Sequence, residues 1–208
     1  KCDICSIIYQ FPRLTKKEEH YFYKKEFEKY MSSRSGKAGG WNDGETHIIA
    51  NEETKERRMS YLMPHLKKSN LKLLEIGCSS GFMLYPLVKK NIQCIGIEPS
   101  GVFNQFCKSK SLEIYESLDE LKLVKPNIKF DIITHFFVLE HIVEPKKFLE
   151  DQLNMLNPGG KIIFEIPSSE DPLYTIYDVP EFERFFWSIA HPWYFNENSL
   201  NYLLNEIN

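Results

Sequence analysis

The stretch LKLLEIGCSSGFMLYPLVKKNIQCIGIEPS, residues 71–100, decides the fold of this chain. It opens with an apolar run, Leu71–Ile76, which breaks into a turn of small residues, Gly77–Gly81. The residues after the turn have helical character, and a second apolar run, Ile92–Ile97, ends on Glu98. This order of strand, turn, helix, strand and acid predicts a βαβ unit, with a ligand site at the carboxyl edge of its strands.

The turn departs from the nucleotide-binding patterns that it first suggests. A dinucleotide fingerprint requires glycine at two further positions after Gly77, and these are Ser79 and Phe82 here. A phosphate loop requires a lysine after its last glycine, and none follows this turn. An acid at the end of a buried strand, Glu75, indicates a ligand with a cationic group, and Glu98 suits the two hydroxyls of a ribose. The pattern therefore favours a nucleoside over a nucleotide.

The rest of the chain alternates strands with helices in the same way. Amphipathic stretches predict helices at Val102–Ser109, Leu118–Val124 and Pro145–Leu156. Apolar runs predict strands at Glu113–Tyr115, Phe130–Phe137 and Lys161–Ile166, with a turn at Asn157–Gly160 before the last of them. Such alternation favours an α/β fold with a doubly wound, mostly parallel sheet.

We divide the chain into an N-terminal segment with a helical cap, residues 1–70, and a core, residues 71–208. The cap contains an aromatic helix, Thr15–Met31, and a second helix over residues 52–68. Aromatic residues are dense between Tyr174 and Phe195, so residues 168–195 are interpreted as an aromatic lid.

Composition and charge narrow the class of protein. The 26 Lys and Arg residues nearly balance 29 Asp and Glu residues, so no basic surface for nucleic acid is expected. No apolar run approaches the roughly 20 residues of a membrane span, and no secretory signal is visible. Five cysteines without a regular framework indicate a cytoplasmic setting. Cys2 and Cys5 are either half of a zinc site completed upstream of Lys1 or two unpaired thiols, and no metal site is predicted within the chain.

Leu73–Gly81 together with Glu98 resembles the class I S-adenosylmethionine-dependent methyltransferases. Phe130–Thr134, Val138–His141 and Leu156–Lys161 follow in that family's order and approximate spacing. The resemblance implies a Rossmann-like methyltransferase fold and S-adenosylmethionine as the cofactor. Serine stands at position 79 in place of the family's usual middle glycine, and a small residue there still lets the backbone approach a ligand. The family's sheet ends with two more strands, which this chain is expected to lack.

The resemblance also assigns cofactor-binding residues, position by position. The turn would lie against the methionine and ribose, Glu98 would hold the ribose hydroxyls, and the residues after the third strand would meet the adenine. Phe136 and Phe137 would cover the methionine end, or else they pack in the core. The full set of predicted cofactor-binding residues is Glu75, Gly77, Cys78, Ser79, Gly81, Glu98, Pro99, Ser100, Ser117, Leu118, Phe136 and Phe137.

The sequence constrains the residues that would act on the methyl acceptor less than it constrains the cofactor-binding residues. His141 and His191 are the candidate catalytic bases, with helix capping and lid packing as their respective alternatives, while His135 is expected to be structural. The aromatic segment and the Cys-x-x-Cys pair resemble a subgroup that includes sugar C-methyltransferases, in which a Glu-His pair carries the proposed base. Here Ala190 replaces that acid, so O-methylation of a small polar metabolite in carbohydrate or polysaccharide biosynthesis is favoured. C-methylation, a protein acceptor and a non-catalytic cofactor-binding module stay open, and so does the oligomeric state.

Overall fold

The computed structural model describes residues 1–35, 39–67 and 70–207. Its strands are β1 (Ile8–Tyr9), β2 (Lys72–Ile76), β3 (Gln93–Ile97), β4 (Glu113–Tyr115), β5 (Phe130–Phe136), β6 (Leu156–Glu165) and β7 (Trp193–Tyr194). No described helix combines the length and the apolar character that crossing a bilayer would require.

Eleven α-helices are assigned in the described part of the chain. They are α1 (Lys16–Tyr21), α2 (Phe27–Ser35), α3 (Gly44–Ala50), α4 (Glu52–Leu62), α5 (Leu84–Lys89), α6 (Gly101–Ser109), α7 (Leu118–Val124), α8 (Pro145–Leu153), α9 (Pro172–Thr175), α10 (Pro180–Phe186) and α11 (Glu197–Asn205). A π-helical turn, Phe22–Glu26, joins α1 to α2, and short 3-10 turns lie at Met63–His65 and Leu139–His141.

Five strands form one sheet in the order β4-β3-β2-β5-β6. The pairings of β2 with β3, β2 with β5 and β3 with β4 are all parallel. Leu73, Leu74 and Glu75 of the central strand are almost completely buried, which is typical of a parallel strand covered on both faces. The strand order reverses between β2 and β5, and such a switch point is where open α/β sheets bind ligands. The prediction of a doubly wound α/β fold is confirmed.

Most predicted elements lie close to the observed ones, with one correction. The predicted turn at Asn157–Gly160 is wrong, because β6 begins at Leu156 and runs through these residues. The Asn157 amide donates a hydrogen bond to Asp131 Oδ1 at 3.2 Å. The Asn-Pro-Gly-Gly composition indicated a helix stop, but pairing with the neighbouring strand overrides that local preference. Lys68, at the end of the predicted second cap helix, lies outside the described residues.

The described residues fall into two compact units. The sheet unit comprises residues 17–135 and 155–163, and the aromatic unit comprises 1–16, 136–154 and 164–207. In the sheet unit, Phe103, Leu121 and Ile133 are among the largest fully buried side chains, so helices on the sheet supply its core.

The aromatic unit has its own core and its own small sheet. Strands β1 and β7 pair in antiparallel fashion, with Ile8 opposite Tyr194 and Tyr9 opposite Trp193. The buried cluster of this unit contains Leu139, Leu149 and Phe195, against which α8 and α11 pack. Ser168 forms a bridge with Phe195, so the two ends of the predicted aromatic lid are tied together.

Candidate functional site

Three of the five residues in the turn after β2, Gly77–Gly81, have positive φ angles. Gly77, Ser79 and Gly81 have φ angles of 72°, 44° and 72°. The N–H groups of Gly77 and Cys78 donate hydrogen bonds of 2.8 and 3.1 Å to the carbonyl oxygen of Ile97. This pair of bonds ties the turn to the end of β3, where Glu98 follows.

Close packing explains why the turn keeps its last glycine. A Cβ at Gly81 would lie 2.6 Å from Leu112 Cδ1 and 3.1 Å from Cys107 Sγ. The Cys107 thiol also donates a hydrogen bond to the Ser79 carbonyl oxygen at 3.2 Å. Cys107 is fully buried beneath the turn, so a side chain at position 81 would have to displace the core.

Glu98 links the turn to the start of α6. Its Oε2 accepts a hydrogen bond from the Ser79 N–H at 2.6 Å, and its Oε1 accepts one from the Ser100 N–H at 2.8 Å. Burial raises the pKa of Glu98 to about 7 and the charge of Glu28 adds to the effect, while the two N–H donors oppose it. Each carboxylate oxygen can accept more than one hydrogen bond, so capacity for two ribose hydroxyls is retained.

Glu75 is the second buried acid of the sheet unit. Burial raises its pKa to about 8, the positive charge of Arg58 opposes this, and the negative charge of Glu98 adds to it. Among the described residues, Glu75 Oε2 has no hydrogen-bond partner. A buried oxygen in that state is costly, and a bound cationic group would remove the cost.

The N-terminal part of the sheet unit contributes residues that sequence reasoning missed. Glu28 of α2 accepts hydrogen bonds from the Ser100 hydroxyl and, at 3.1 Å, from the Val102 N–H. The Nδ1 atom of His47, in α3, lies 2.9 Å from the hydroxyl oxygen of Ser80 in the turn after β2. Burial lowers the pKa of His47 to about 4, so it is neutral at physiological pH. No sequence motif marked Glu28 or His47, because both contacts depend on long-range packing.

Trp41 lies in the same region and packs against three other rings. Its ring lies 4.9 Å from the ring of His47, 5.6 Å from that of Phe27 and 5.8 Å from that of Phe103. The N-terminal helices are thereby packed onto α6, at the edge where the turn and Glu98 lie.

These residues fit S-adenosylmethionine. Its methionine end carries an ammonium and a carboxylate, which match the carboxyl group of Glu75 and the guanidinium of Arg58, both buried. Its ribose offers two hydroxyls to Glu98, and the small residues of the turn allow the backbone to approach closely. The observation that carries this fit is the Glu75 oxygen, which accepts no hydrogen bond from the part of the chain that the structure describes.

Three predicted contacts lie at the ends of β3 and β4. Pro99 is half-buried between Glu98 and Ser100. Ser117 caps α7, its hydroxyl accepting a hydrogen bond from the Glu120 N–H at 3.1 Å, and Leu118 is half-buried. The proposed contacts of Ser117 and Leu118 with adenine, and of Pro99 with the cofactor beside Glu98, stay predictions.

Phe136 and Phe137 belong to the aromatic unit, where both are half-buried. Phe137 has a φ of 55°, and its N–H donates a hydrogen bond to the Glu165 carbonyl oxygen at 2.8 Å. A bulky residue in the left-handed region carries backbone strain, which clusters at ligand sites. Their role over the methionine end stays a prediction.

The aromatic unit brings His141 and His191 together. Their ring centroids are 4.6 Å apart with the planes at 69°, and Glu140 lies in the same cluster. Glu140 therefore supplies beside His191 the acid that Ala190 does not. His135, in contrast, is fully buried in β5, and burial lowers its pKa to about 3, as suits a structural residue.

Cys2 and Cys5 are both half-buried at the start of the aromatic unit. The Cys2 N–H donates a hydrogen bond to the Ile7 carbonyl oxygen at 2.8 Å, and the Ser6 N–H donates one to the Cys2 carbonyl oxygen at 3.0 Å. Hydrogen bonding to the Cys5 backbone lowers the pKa of Cys2, which favours the thiolate form that metals bind.

Comparison with known proteins agrees with this geometry. The methyltransferase domain profile matches residues 49–208. The ubiquinone biosynthesis O-methyltransferase of Nitrosococcus oceani is 26% identical over 130 residues, 60% of this chain and 55% of that protein. The tRNA U34 carboxymethyltransferase of Nautilia profundicola is 30% identical over 114 residues, 52% of this chain and 38% of that protein.

Solved structures give the same fold. The magnesium protoporphyrin IX methyltransferase of Synechocystis, solved with bound S-adenosylhomocysteine, superposes with a TM-score of 0.63 at 15% identity, covering 92% of this chain and 87% of that one. The chain spans about half the length of the curated relatives that it matches.

The profile match confirms the predicted resemblance to the methyltransferase family, and the superposition confirms the fold. A carbohydrate acceptor and the nearest subgroup are not tested by them. Because the profile matches well over half of its residues, the chain belongs to the methyltransferase domain family.

Proposed function

We propose that this protein transfers the methyl group of S-adenosylmethionine to a hydroxyl oxygen of a small polar metabolite. The observation that carries the proposal is the buried carboxyl of Glu75, one oxygen of which has no hydrogen-bond partner among the described residues. The charges of both Arg58 and Glu98 act on this carboxyl. Such a site suits an amino-acid zwitterion attached to a ribose.

The cofactor, when bound, supplies an electrophilic methyl group on a sulfonium. In our proposal Glu75 receives the ammonium group, Arg58 the carboxylate and Glu98 the ribose hydroxyls. The left-handed turn through Ser79 holds the backbone against the cofactor. Catalysis then consists mainly of placing the acceptor oxygen in line with the methyl group.

Activation of the acceptor hydroxyl is assigned to His141 and His191. The His141 Nδ1 lies 2.8 Å from the Ala190 carbonyl oxygen, and the His191 Nδ1 lies 2.9 Å from that of Phe186. A carbonyl oxygen only accepts, so each Nδ1 carries a proton and each Nε2 carries the lone pair in the neutral ring. Nε2 is thus the atom of each histidine that can take a proton.

The acceptor class is proposed from the aromatic segment and from the pair of histidines. Aromatic faces and a histidine pair suit a hydroxylated, carbohydrate-related or phosphorylated metabolite. The relative named for ubiquinone biosynthesis is an O-methyltransferase, which supports oxygen as the methylated atom. C-methylation stays the alternative, because Glu140 of the same cluster brings beside His191 an acid that position 190 does not supply.

A mass-spectrometric screen tests the proposal. The purified protein is incubated with S-adenosylmethionine and separate pools of sugar phosphates, nucleotide sugars and phenols. We expect one product to gain a single methyl group, with S-adenosylhomocysteine formed in equal amount and an O-methyl signal by NMR. Cofactor binding without S-adenosylhomocysteine from any pool would instead indicate a non-catalytic module.

The His191→Asn variant tests the assignment of the acceptor side. The loss of a proton-accepting group lowers kcat by roughly 10²–10⁴-fold. The affinity for S-adenosylmethionine should stay within about twofold, because the predicted cofactor contacts lie elsewhere. A variant with unchanged kcat would remove His191 from the mechanism.

A further inference from the structure

One side-chain cluster of the aromatic unit combines two imidazoles with a carboxylate. Glu140, His141 and His191 each offer one ligand atom, and these three atoms all lie within 4.8 Å of one another. Glu140 and His191 are 1% and 5% exposed, and His141 is half-buried. Nitrogen and oxygen atoms are thus brought together in a largely buried place.

The hydrogen bonds of the two histidines prepare them for a metal. In both rings the Nδ1–H points at a backbone carbonyl oxygen, that of Ala190 for His141 and that of Phe186 for His191. Histidine ligands of metals commonly donate their second N–H in this way, which fixes the tautomer and the orientation of the ring.

Further hydrogen bonds fix the backbone around His191. The Ser188 hydroxyl accepts a hydrogen bond from the Ala190 N–H at 3.1 Å, and the Tyr194 hydroxyl donates one to the Ser188 carbonyl oxygen at 3.1 Å. The His191 N–H donates to the same Ser188 carbonyl oxygen at 3.0 Å. Ser188, Ala190 and Tyr194 are all buried, so the histidine side of the cluster is preorganised.

We propose that Glu140, His141 and His191 bind a divalent transition-metal ion of the Zn²⁺ type. Two imidazoles and one carboxylate favour zinc and its first-row neighbours over Ca²⁺ or Mg²⁺, which prefer all-oxygen sites. Tetrahedral ligands at zinc lie about 3.4 Å apart. The separations of the three atoms, at most 4.8 Å, therefore need to shrink by no more than about 1.4 Å. Three protein ligands leave a fourth position for water or an acceptor oxygen.

Binding of the ion does not depend on the proposed methyl transfer, whereas its use in catalysis does. The Nε2 lone pairs that would take a proton would coordinate the ion instead. A hydroxyl at the fourth position would then have a lowered pKa and lose its proton to solvent. Failure of the metal titration therefore leaves the methyl-transfer proposal standing, with the histidines as direct bases.

Metal titration of the full chain tests the site. The protein is stripped with a chelator and titrated with Co²⁺, followed by its visible absorption, and Zn²⁺ is then used to displace it. We expect one ion per chain, and His191→Ala or Glu140→Gln should weaken binding by about 100-fold or more. His65→Ala, at an exposed histidine, is the matched control and should leave binding unchanged.

Two further measurements separate the outcomes. A Cys2→Ser, Cys5→Ser double variant should keep the ion, and loss of all binding in it would place the metal at the thiols and overturn the proposal. In the unmodified protein, ¹⁵N spectra of histidine should show two Nε2 signals shifting with Zn²⁺. Spectra without such shifts would overturn the proposal even if the His191 and Glu140 variants fail to fold.

Discussion

The carboxyl of Glu75 is almost entirely buried and has a pKa of about 8, so in the unliganded protein at neutral pH it mostly holds its proton. Glu98, with a pKa of about 7, is divided between its two forms. The apo site is therefore less negative than the two acids in the sequence would indicate. A bound cationic cofactor would favour the ionised form of these acids.

The pH dependence of stability tests the state of Glu75. Its folded-state pKa lies above the ordinary 4.5, so between about pH 4.5 and 8 the folded protein binds more protons than the unfolded chain. Stability from this group is complete below that range and is lost as the pH rises through it. We expect the free energy of unfolding, measured in urea, to fall by roughly 3 kcal/mol between pH 5 and pH 8 on account of Glu75.

Two variants assign this effect. Glu75→Gln should flatten most of the decline, leaving the smaller part due to Glu98. Glu113→Gln, at an exposed carboxyl of β4, should keep the profile of the unmodified protein. An equally steep decline in Glu75→Gln would show that the carboxyl is already ionised in the folded state.

Binding of S-adenosylmethionine should release a proton from Glu75. An ammonium group beside Glu75 favours its carboxylate, so S-adenosylmethionine should expel the proton at pH 7. Calorimetry in phosphate and in Tris should give binding enthalpies that differ by the release of roughly one proton per cofactor. Glu75→Gln should lower that number by more than half, and equal enthalpies in both buffers for the unmodified protein would contradict the assignment.

At the scale of elements, the turn after β2 shows what sequence could and could not predict. Its small residues and its place at the end of a buried strand were readable from the sequence, because a run of small residues after an apolar run favours a tight turn. The side chains that support the turn could not be predicted in this way, since the hydrogen bond from Ser100 to Glu28 of α2 joins residues far apart in the sequence. The Asn157–Gly160 segment shows the opposite case, in which a clear local signal yields to strand pairing.

A series of glycine variants separates backbone strain from packing. Gly81 has a φ of 72° and a crowded Cβ position, Gly159 has a φ of 76° with open space, and at Gly101 the Cβ position is open. In urea unfolding, alanine should cost roughly 2–3 kcal/mol at Gly81 and about 1 kcal/mol at Gly159. In the first turn of α6, Gly101→Ala should stabilise by up to about 1 kcal/mol. Equal costs at Gly81 and Gly159 would show that packing under the turn is unimportant.

At the scale of the whole molecule, the alternation of strands and helices sufficed to predict a doubly wound, mostly parallel sheet. The sequence also singled out His141 and His191 as candidates, but it could not show that they share one cluster. That juxtaposition, with Glu140 as its acid, arises because a segment after β5 and one before β7 fold into the same unit. Contacts of this kind depend on tertiary packing and leave no local pattern.

The cofactor site of the sheet unit is the central claim, and calorimetric titration of S-adenosylmethionine into the unmodified protein and Glu98→Gln tests it most directly. The variant keeps the shape of the side chain but loses the charge that two ribose hydroxyls would share. Hydrogen bonds to a charged group are worth about 1.5–3 kcal/mol, so we predict affinity lower by roughly 10–100-fold. Equal affinity in the two proteins, or no binding to the unmodified one, would contradict the account.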